Sequence, residues 1–301
     1  MSEEDIFESA PGDPNLPFKK GTTKEVPEEE FDLSPIEPKR GMLVITVTGE
    51  KGEGKTTQAL GAPGTIGAVS MDRKTSIIHQ TAYGSDERIK VFDGIRYYSE
   101  DMQVLADISK SGARNFRYLI QLLHSMRGKF DWILIDGLEA THELCEMKMR
   151  ADHNLAPTQG FSTLIWWKER KFNLRAIHNA ALSASKRGVI YTTFMEFEKS
   201  EVKDGDTVKG KKVPKWVDLV KTETDISVYV YAEQDRAGKI RHYAEVLSSK
   251  DPTILRTGVR VDVSDGKSVF LKLKRTEEKP KMPDVGVPNP TEGPKTDDIF
   301  S

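Results

Sequence analysis

The stretch Gly49-Glu50-Lys51-Gly52-Glu53-Gly54-Lys55-Thr56 decides how the rest of this 301-residue chain is read. It matches the pattern G-x-x-x-x-G-K-[ST] in full, a spacing that suits a loop cradling phosphates. Before it, Leu43-Val44-Ile45-Thr46-Val47 is β-branched and reads as a buried strand; after it, Thr57-Gln58-Ala59-Leu60 continues as a helix. Strand, loop and helix in that order turn backbone N–H groups inward and make a nest for an anion of triphosphate size. Gly49, Glu50, Lys51, Gly52, Glu53, Gly54, Lys55, Thr56 and Thr57 are therefore the expected nucleotide-binding residues. Lys55 is expected to reach the β- and γ-phosphates as a mobile point charge, and the Thr56 hydroxyl to take one position on Mg²⁺. The bland alternative is a glycine-rich turn that holds no ligand.

Charge is spread unevenly around this stretch. Residues 1–41 carry eleven acidic and five basic side chains, and residues 275–301 carry six and four, so against a net charge of -2 the segment between them is about +6. A basic body is compatible with a nucleic-acid partner. Cys145 is the only cysteine, which rules out an internal disulfide and points to a reducing compartment. No apolar run approaches the length of a membrane span and the N-terminus is acidic, so a cytoplasmic protein with no membrane partner is expected.

Pro11, Pro14, Pro17, Pro27, Pro35 and Pro38 interrupt residues 1–40, and Pro280, Pro283, Pro288, Pro290 and Pro294 do the same beyond residue 275. Both stretches read as disordered acidic tails, 1–40 and 276–301, flanking one domain over 41–275. Each contains a similar string, Glu4-Asp5-Ile6-Phe7 and Asp297-Asp298-Ile299-Phe300. An acidic pair before Ile-Phe can seat an aromatic anchor in a basic-rimmed pocket of a replication or recombination partner. The second copy resembles the acidic tip of bacterial single-stranded-DNA-binding proteins, with Ser301 following the phenylalanine. Chance likeness of two short acidic strings is the alternative.

Between the tails, apolar runs alternate with helical patterns, which predicts an α/β fold with a mostly parallel central sheet covered on both faces. Ile66–Met71 reads as a strand ending at Asp72, followed by the short apolar run Ser76-Ile77-Ile78 and a hairpin over Ile89–Tyr98 turning on Asp93-Gly94. Apolar spacing predicts one or two helices over Asp101–Met126, broken at Gly112. Phe130–Gly137 reads as a central strand ending in an acid; 138–150 as a helix, 151–162 as a loop, and Ser162–Lys186 as a long helix stopped by Gly188. Val189–Phe194 is a further core strand, and Lys203–Lys212 is polar. Pro214-Lys215-Trp216 opens a short helix. Antiparallel hairpins close the domain: Asp225–Glu233 with Lys239–Leu247 around Ala237-Gly238, then a last strand at Ser268–Lys274.

Triphosphate chemistry needs a second metal ligand and a group that positions water. Asp136, delivered at the end of an apolar strand, fits the metal role beside Thr56; a strand-end acid capping the next helix is the alternative. Asp72 and Glu139 are candidates for polarising the water, Asp72 slightly ahead, and either can be a solvated surface acid. Thr192 and Thr193 can sense a γ-phosphate through their hydroxyls, although threonine is common in strands. Lys209, Lys211, Lys212 and Lys215, then Arg256 and Arg260, are candidates for charge stabilisation, supplied in some cases by a neighbouring subunit; a lysine run is otherwise a solvated face. Trp166-Trp167-Lys168-Glu169-Arg170-Lys171 mixes stacking and charged groups as single-strand binders do, or is half core and half interface.

The Gly49–Thr56 loop, the acid after the second strand, Ile133-Leu134-Ile135-Asp136, the helix carrying Trp167, Thr192-Thr193, Pro214-Lys215-Trp216 and the final hairpins together resemble the RecA-core ATPases of viruses and archaea. That group includes the Sak-type single-strand annealing ATPases of phages and, more distantly, RadA and KaiC. The resemblance covers roughly residues 40–275. It lacks an N-terminal helix-hairpin-helix module, a glutamate after the second strand, and a His or Gln at the fourth strand end. It implies a three-layer P-loop NTPase of RecA-like class that binds ATP and Mg²⁺. It further implies self-association into a ring or filament and single-stranded DNA binding in recombination, annealing or replication. A second reading, a nucleotide-switched interaction protein with slow hydrolysis that recruits partners through its tails, draws on the same residues.

Overall fold

The computed structural model describes residues 41–97, 105–156, 159–160, 164–197, 201–203, 206–208, 212–215, 218–234 and 237–272. Both proline-rich tails with their Ile-Phe strings, and Lys209, Lys211 and Trp216, lie outside the described residues.

Apolar, β-branched segments with no polar side to give to water must be covered on both faces, and here they form the middle of an eight-stranded sheet. The strands are β1 (Leu43–Gly49), β2 (Ile66–Ser70), β3 (Ile89–Asp93), β4 (Phe130–Asp136), β5 (Ser185–Thr193), β10 (Ile226–Gln234), β11 (Ile240–Ser249) and β12 (Arg260–Asp262). Their spatial order is β12-β11-β10-β1-β5-β4-β2-β3. All neighbours from β10 to β3 pair in parallel, and β11 and β12 add antiparallel to one edge. The remaining strands, β6 (Met195–Phe197), β7 (Glu201–Lys203), β8 (Asp206–Val208) and β9 (Lys212–Pro214), make two short antiparallel pairs of their own.

Side chains alternate between the faces within each buried strand. On one face Val44, Val69, Ile133, Ile135, Val189 and Tyr191 meet α3 (Leu105–Ser125), α4 (Leu138–Asp152) and α5 (Leu164–Ala184) through Leu119, Leu123, Leu144, Leu174 and Ile177. On the other, Ile45, Val47, Ala68, Trp132, Leu134, Ile190 and Val228 meet Ala59 and Leu60 of α1 (Lys55–Leu60) and a 3₁₀ turn, Val269–Lys272. Trp132 is fully buried, and its indole N–H donates to the Pro63 carbonyl at 2.8 Å, which spares the core an unmet donor. No helix among the described residues is long and apolar enough to cross a membrane.

Several expected local elements differ in the structure. Ser76-Ile77-Ile78 lies in α2 (Thr75–Tyr83), a helix closed by Gly84 at a φ of 57° with Ile77 exposed. Asp93-Gly94 does not turn a hairpin: β3 runs parallel to β2, and the following residues are held by Asn115 of α3, whose Oδ1 accepts from the Arg96 and Tyr97 N–H groups. Gly112 does not break α3. It lets α4 approach, since a Cβ there would lie 2.3 Å from the Met147 Cβ. Pro214 ends β9, and the short helix α6 begins later, at Asp218–Glu223. Val269–Lys272, inside the expected strand Ser268–Lys274, is a 3₁₀ turn docked on α1, where Gln58 Nε2 donates to the Lys267 carbonyl at 3.0 Å and Gln58 Oε1 accepts from the Val269 N–H at 3.2 Å; residues 273 and 274 lie outside the described residues. The hairpin around Ala237-Gly238 forms as expected, from β10 and β11.

Gly188 lies inside β5 rather than beyond a helix end, with a φ of 152° and the Leu43 carbonyl oxygen 2.0 Å from where a Cβ would be. Gly188→Ala is therefore expected to lower unfolding stability in urea by about 2–4 kcal/mol. A variant as stable as the parent would show that β1 and β5 are not spaced as described.

Candidate functional site

Parallel strands deliver their C-terminal ends to one edge of the sheet, and the loops that follow β1, β2, β4 and β5 gather there. The parallel register sets Ser70 beside Asp136 and Asp136 beside Thr192. Thr56, in the first turn of α1, comes to the same point from the glycine-rich loop.

Asp136 is 6% exposed and accepts from three threonine hydroxyls on three different elements. Thr56 Oγ1 lies 3.0 Å from both carboxylate oxygens, Thr75 Oγ1 2.6 Å from Oδ2, and Thr192 Oγ1 2.6 Å from Oδ1. The Gly137 N–H in turn donates to Thr192 Oγ1 at 2.9 Å. Burial pushes the Asp136 carboxyl above its ordinary range, the three hydroxyls pull it back, and the charge of Asp72 adds to the upward push.

The loop itself is closed on its own groups. Gly52 and Gly54 sit at φ values of 86° and 94°, which glycine adopts without strain. Gly49 is required by contact, because a Cβ would lie 2.3 Å from the Val230 carbonyl oxygen of β10. The Glu50 N–H donates to the Glu53 carboxylate, so one backbone donor of the loop already holds an anion. Lys55 folds back: its Nζ donates to the Gly49 and Glu50 carbonyls at 3.0 and 2.8 Å and lies 4.2 Å from the Phe194 ring centroid. Burial lowers the Lys55 ammonium below its ordinary value, opposed by the carboxylates of Glu139, Glu53, Asp136 and Glu50 in that order. Lys51 is exposed, and the Thr57 carbonyl accepts from the Tyr83 hydroxyl, tying α2 to α1.

Glu139 lies just inside α4, with Oε1 accepting from the Phe194 N–H at 2.8 Å and from Thr193 Oγ1 at 2.6 Å. Its Oε2 is buried and has no hydrogen-bond partner among the described residues. Thr193 Oγ1 also reaches the Lys215 carbonyl, and the Lys215 N–H donates to the Phe194 carbonyl at 2.7 Å. Asp72 is exposed at the turn before α2, where Oδ1 accepts from the Lys74 N–H at 3.0 Å. The fold thus brings Lys55, Thr56, Asp136 and Glu139 together and leaves Asp72 at the rim. Thr192 faces Asp136, not the loop.

The more distant candidates are bound into other contacts. Arg260 pairs with Glu233 and stacks 3.9 Å from the Tyr243 ring centroid. Trp167 is 40% exposed with the Arg170 guanidinium 4.0 Å from its ring centroid, and Arg170 pairs with Glu146 at 3.1 Å. Thr75, Ser70, Phe194 and the inward turn of Glu53 escaped sequence reasoning. Only the β2–β4 register, which no motif states, sets the chain before Thr75 against Asp136.

No family model matches this chain, and no curated protein matches it. Among solved structures, an uncharacterized protein from Pyrococcus horikoshii, crystallised in complex with an unknown peptide, is similar with a TM-score of 0.32 at 11% identity, covering 74% of this chain and 88% of that one. A likeness of that size carries no argument about fold or function.

A carboxyl held above its ordinary range means that the folded chain binds the Asp136 proton more tightly than the unfolded chain does. Ionising it then costs stability as pH rises from the ordinary carboxylate range through the raised value. Asp136→Asn, neutral throughout, is expected to lose that decline, so its stability relative to the parent climbs with pH across the interval. Parallel pH profiles for the two proteins would contradict the assignment.

Proposed function

We propose that the chain is a RecA-like P-loop ATPase that binds ATP with Mg²⁺ at Gly49–Thr57 and acts on single-stranded DNA. The observation that carries the nucleotide part is the meeting of Lys55, the Thr56 hydroxyl and the Asp136 carboxylate at the C-terminal edge of a parallel sheet, with Thr56 Oγ1 3.0 Å from both oxygens of Asp136. Among the described residues no group of three or more His, Cys, Asp or Glu side chains gathers to hold a metal. One hydroxyl and one carboxylate suit a hard cation that takes its remaining oxygens from phosphate and water. Mg²⁺ supplies charge neutralisation at the phosphates when bound; Thr56 and Asp136 are the residues that hold it.

The chain's own groups account for the rest of the work. Lys55 leaves the Gly49 and Glu50 carbonyls for the β- and γ-phosphate oxygens, and the Glu53 carboxylate gives up the Glu50 N–H to phosphate. A water attacks the γ-phosphorus, the bond to the bridging oxygen breaks, and ADP and phosphate leave. Glu139 is favoured over Asp72 to orient that water, because it lies in the first turn of α4 against the end of β5, whereas Asp72 is exposed at the rim. The DNA part rests on the basic body, the exposed Trp167 and the resemblance to annealing ATPases. Self-association into a ring or filament rests on the resemblance alone, as does a role in recombination or replication.

One observation favours the second reading, a nucleotide-switched interaction protein with slow hydrolysis. Glu139 Oε1 is held by the Phe194 N–H and Thr193 Oγ1, so the carboxylate also serves as a strut between α4 and the end of β5. Thr193 Oγ1 also reaches the Lys215 carbonyl, next to the β6–β9 pair.

Lys55→Ala is expected to weaken ATP binding by about 10–100-fold, the loss of a charge-assisted contact. Parent turnover is expected to rise with single-stranded DNA and to lose that rise as salt increases. Unchanged ATP affinity in Lys55→Ala would overturn the nucleotide site; turnover and DNA binding indifferent to each other across the salt series would overturn the DNA role and leave the switch.

A further inference from the structure

Asp136 is oriented from behind as well as from the loop. After Ser70 the chain turns through Met71–Lys74, where the Met71 N–H donates to the Asp136 carbonyl at 3.1 Å and Asp72 Oδ1 accepts from the Lys74 N–H at 3.0 Å. That turn returns Thr75 to the sheet edge fully buried, with Oγ1 2.6 Å from Asp136 Oδ2 and 2.8 Å from Ser70 Oγ. A hydroxyl has one proton to give, and an ionised carboxylate can only accept. The Thr75 proton therefore goes to Asp136, and Ser70, itself 2% exposed, donates to Thr75. Thr192 makes the matching arrangement on Oδ1, with the Gly137 N–H behind it. Thr56 alone bridges both oxygens from the loop side.

We propose that Thr75, backed by Ser70, is a positioning residue for Asp136 that fixes the rotation of its carboxylate for Mg²⁺. This rests on the nucleotide reading given above. A carboxylate turns about a broad, two-fold torsion, so burial alone does not fix its plane. In the ligand-free arrangement Thr56 donates to both oxygens. When Thr56 gives a lone pair to a cation it still has only one proton to divide between two carboxylate oxygens. Thr75 and Thr192 are then the hydroxyls that keep the plane of Asp136 aimed at Thr56. Neither touches phosphate or the attacking water, and groups of this kind, bonded to a metal ligand rather than to the metal, govern metal affinity strongly.

The test uses the full chain and a fluorescent ATP analogue, titrated with Mg²⁺ and separately in EDTA, for the parent, Thr75→Val and Thr75→Ser. Thr75→Val keeps the volume and removes the proton; it is expected to raise the Mg²⁺ concentration needed for half-maximal tight binding by about 10–100-fold, with a much smaller change in EDTA. Thr75→Ser, which keeps the hydroxyl, is expected to restore the parent Mg²⁺ dependence to within about threefold. Parent Mg²⁺ dependence in Thr75→Val overturns the proposal and leaves the nucleotide site standing. Equal losses with Mg²⁺ and in EDTA also overturn it, since a purely structural role would act that way. A parent protein that binds no nucleotide under either condition overturns the nucleotide reading and this proposal with it.

Discussion

A single buried carboxylate, Asp136, sets the conditions that the surrounding elements meet. An ionised group taken out of water without partners is costly enough that it would protonate or drag water in. Here the strand that carries it inward ends among hydroxyls from α1, α2 and β5, so the charge is kept at the sheet edge by neutral donors instead of a cation. Those donors work only if the parallel register places β2 and β5 on either side of β4, which the order β5-β4-β2 does. The sheet topology and the carboxylate therefore explain one another: shift any of the three strands by one residue and an oxygen of Asp136 loses its hydroxyl.

The same economy of groups governs the loop. The Glu50 N–H is satisfied by the Glu53 carboxylate and the Lys55 ammonium by two loop carbonyls and the face of Phe194. These are interactions a phosphate ester would replace in kind, anion for anion and cation contact for cation contact. Glu139 ties this corner to the end of β5 and to Lys215 through Thr193 and Phe194.

Much of the fold was legible because its core strands are short, apolar and bounded. Leu43–Val47, Ile66–Met71, Phe130–Asp136 and Val189–Phe194 all became parallel core strands, and the β10–β11 hairpin followed from two alternating runs around Ala237-Gly238. The misreadings have identifiable causes. Asp93-Gly94 carries a strong hairpin signal, yet β3 is an edge strand whose partner, β2, lies earlier in the chain. Gly112 looks like a helix breaker until Met147 of α4 is seen against it, and Ser268–Lys274 looks like a strand until Gln58 claims its backbone. At the site, Lys55, Thr56, Asp136 and Glu139 could be named because each stands next to a strand end with a pattern of its own. Thr75 and Ser70 could not, since what makes them matter is the β2–β4 register and a hydroxyl–carboxylate contact between residues 61 apart in the sequence.

The central claim is that the loop and Asp136 form one site for a triphosphate and its cation. Thermal unfolding of the full chain with AMP, ADP and ATP, each with and without Mg²⁺, tests it most directly, because a ligand that binds the folded state alone raises the midpoint by an amount that grows with the logarithm of its affinity. The account predicts little shift with AMP, a larger one with ADP and the largest with ATP, the last two increased by Mg²⁺. Equal shifts for AMP and ATP, or no response to Mg²⁺, would contradict it.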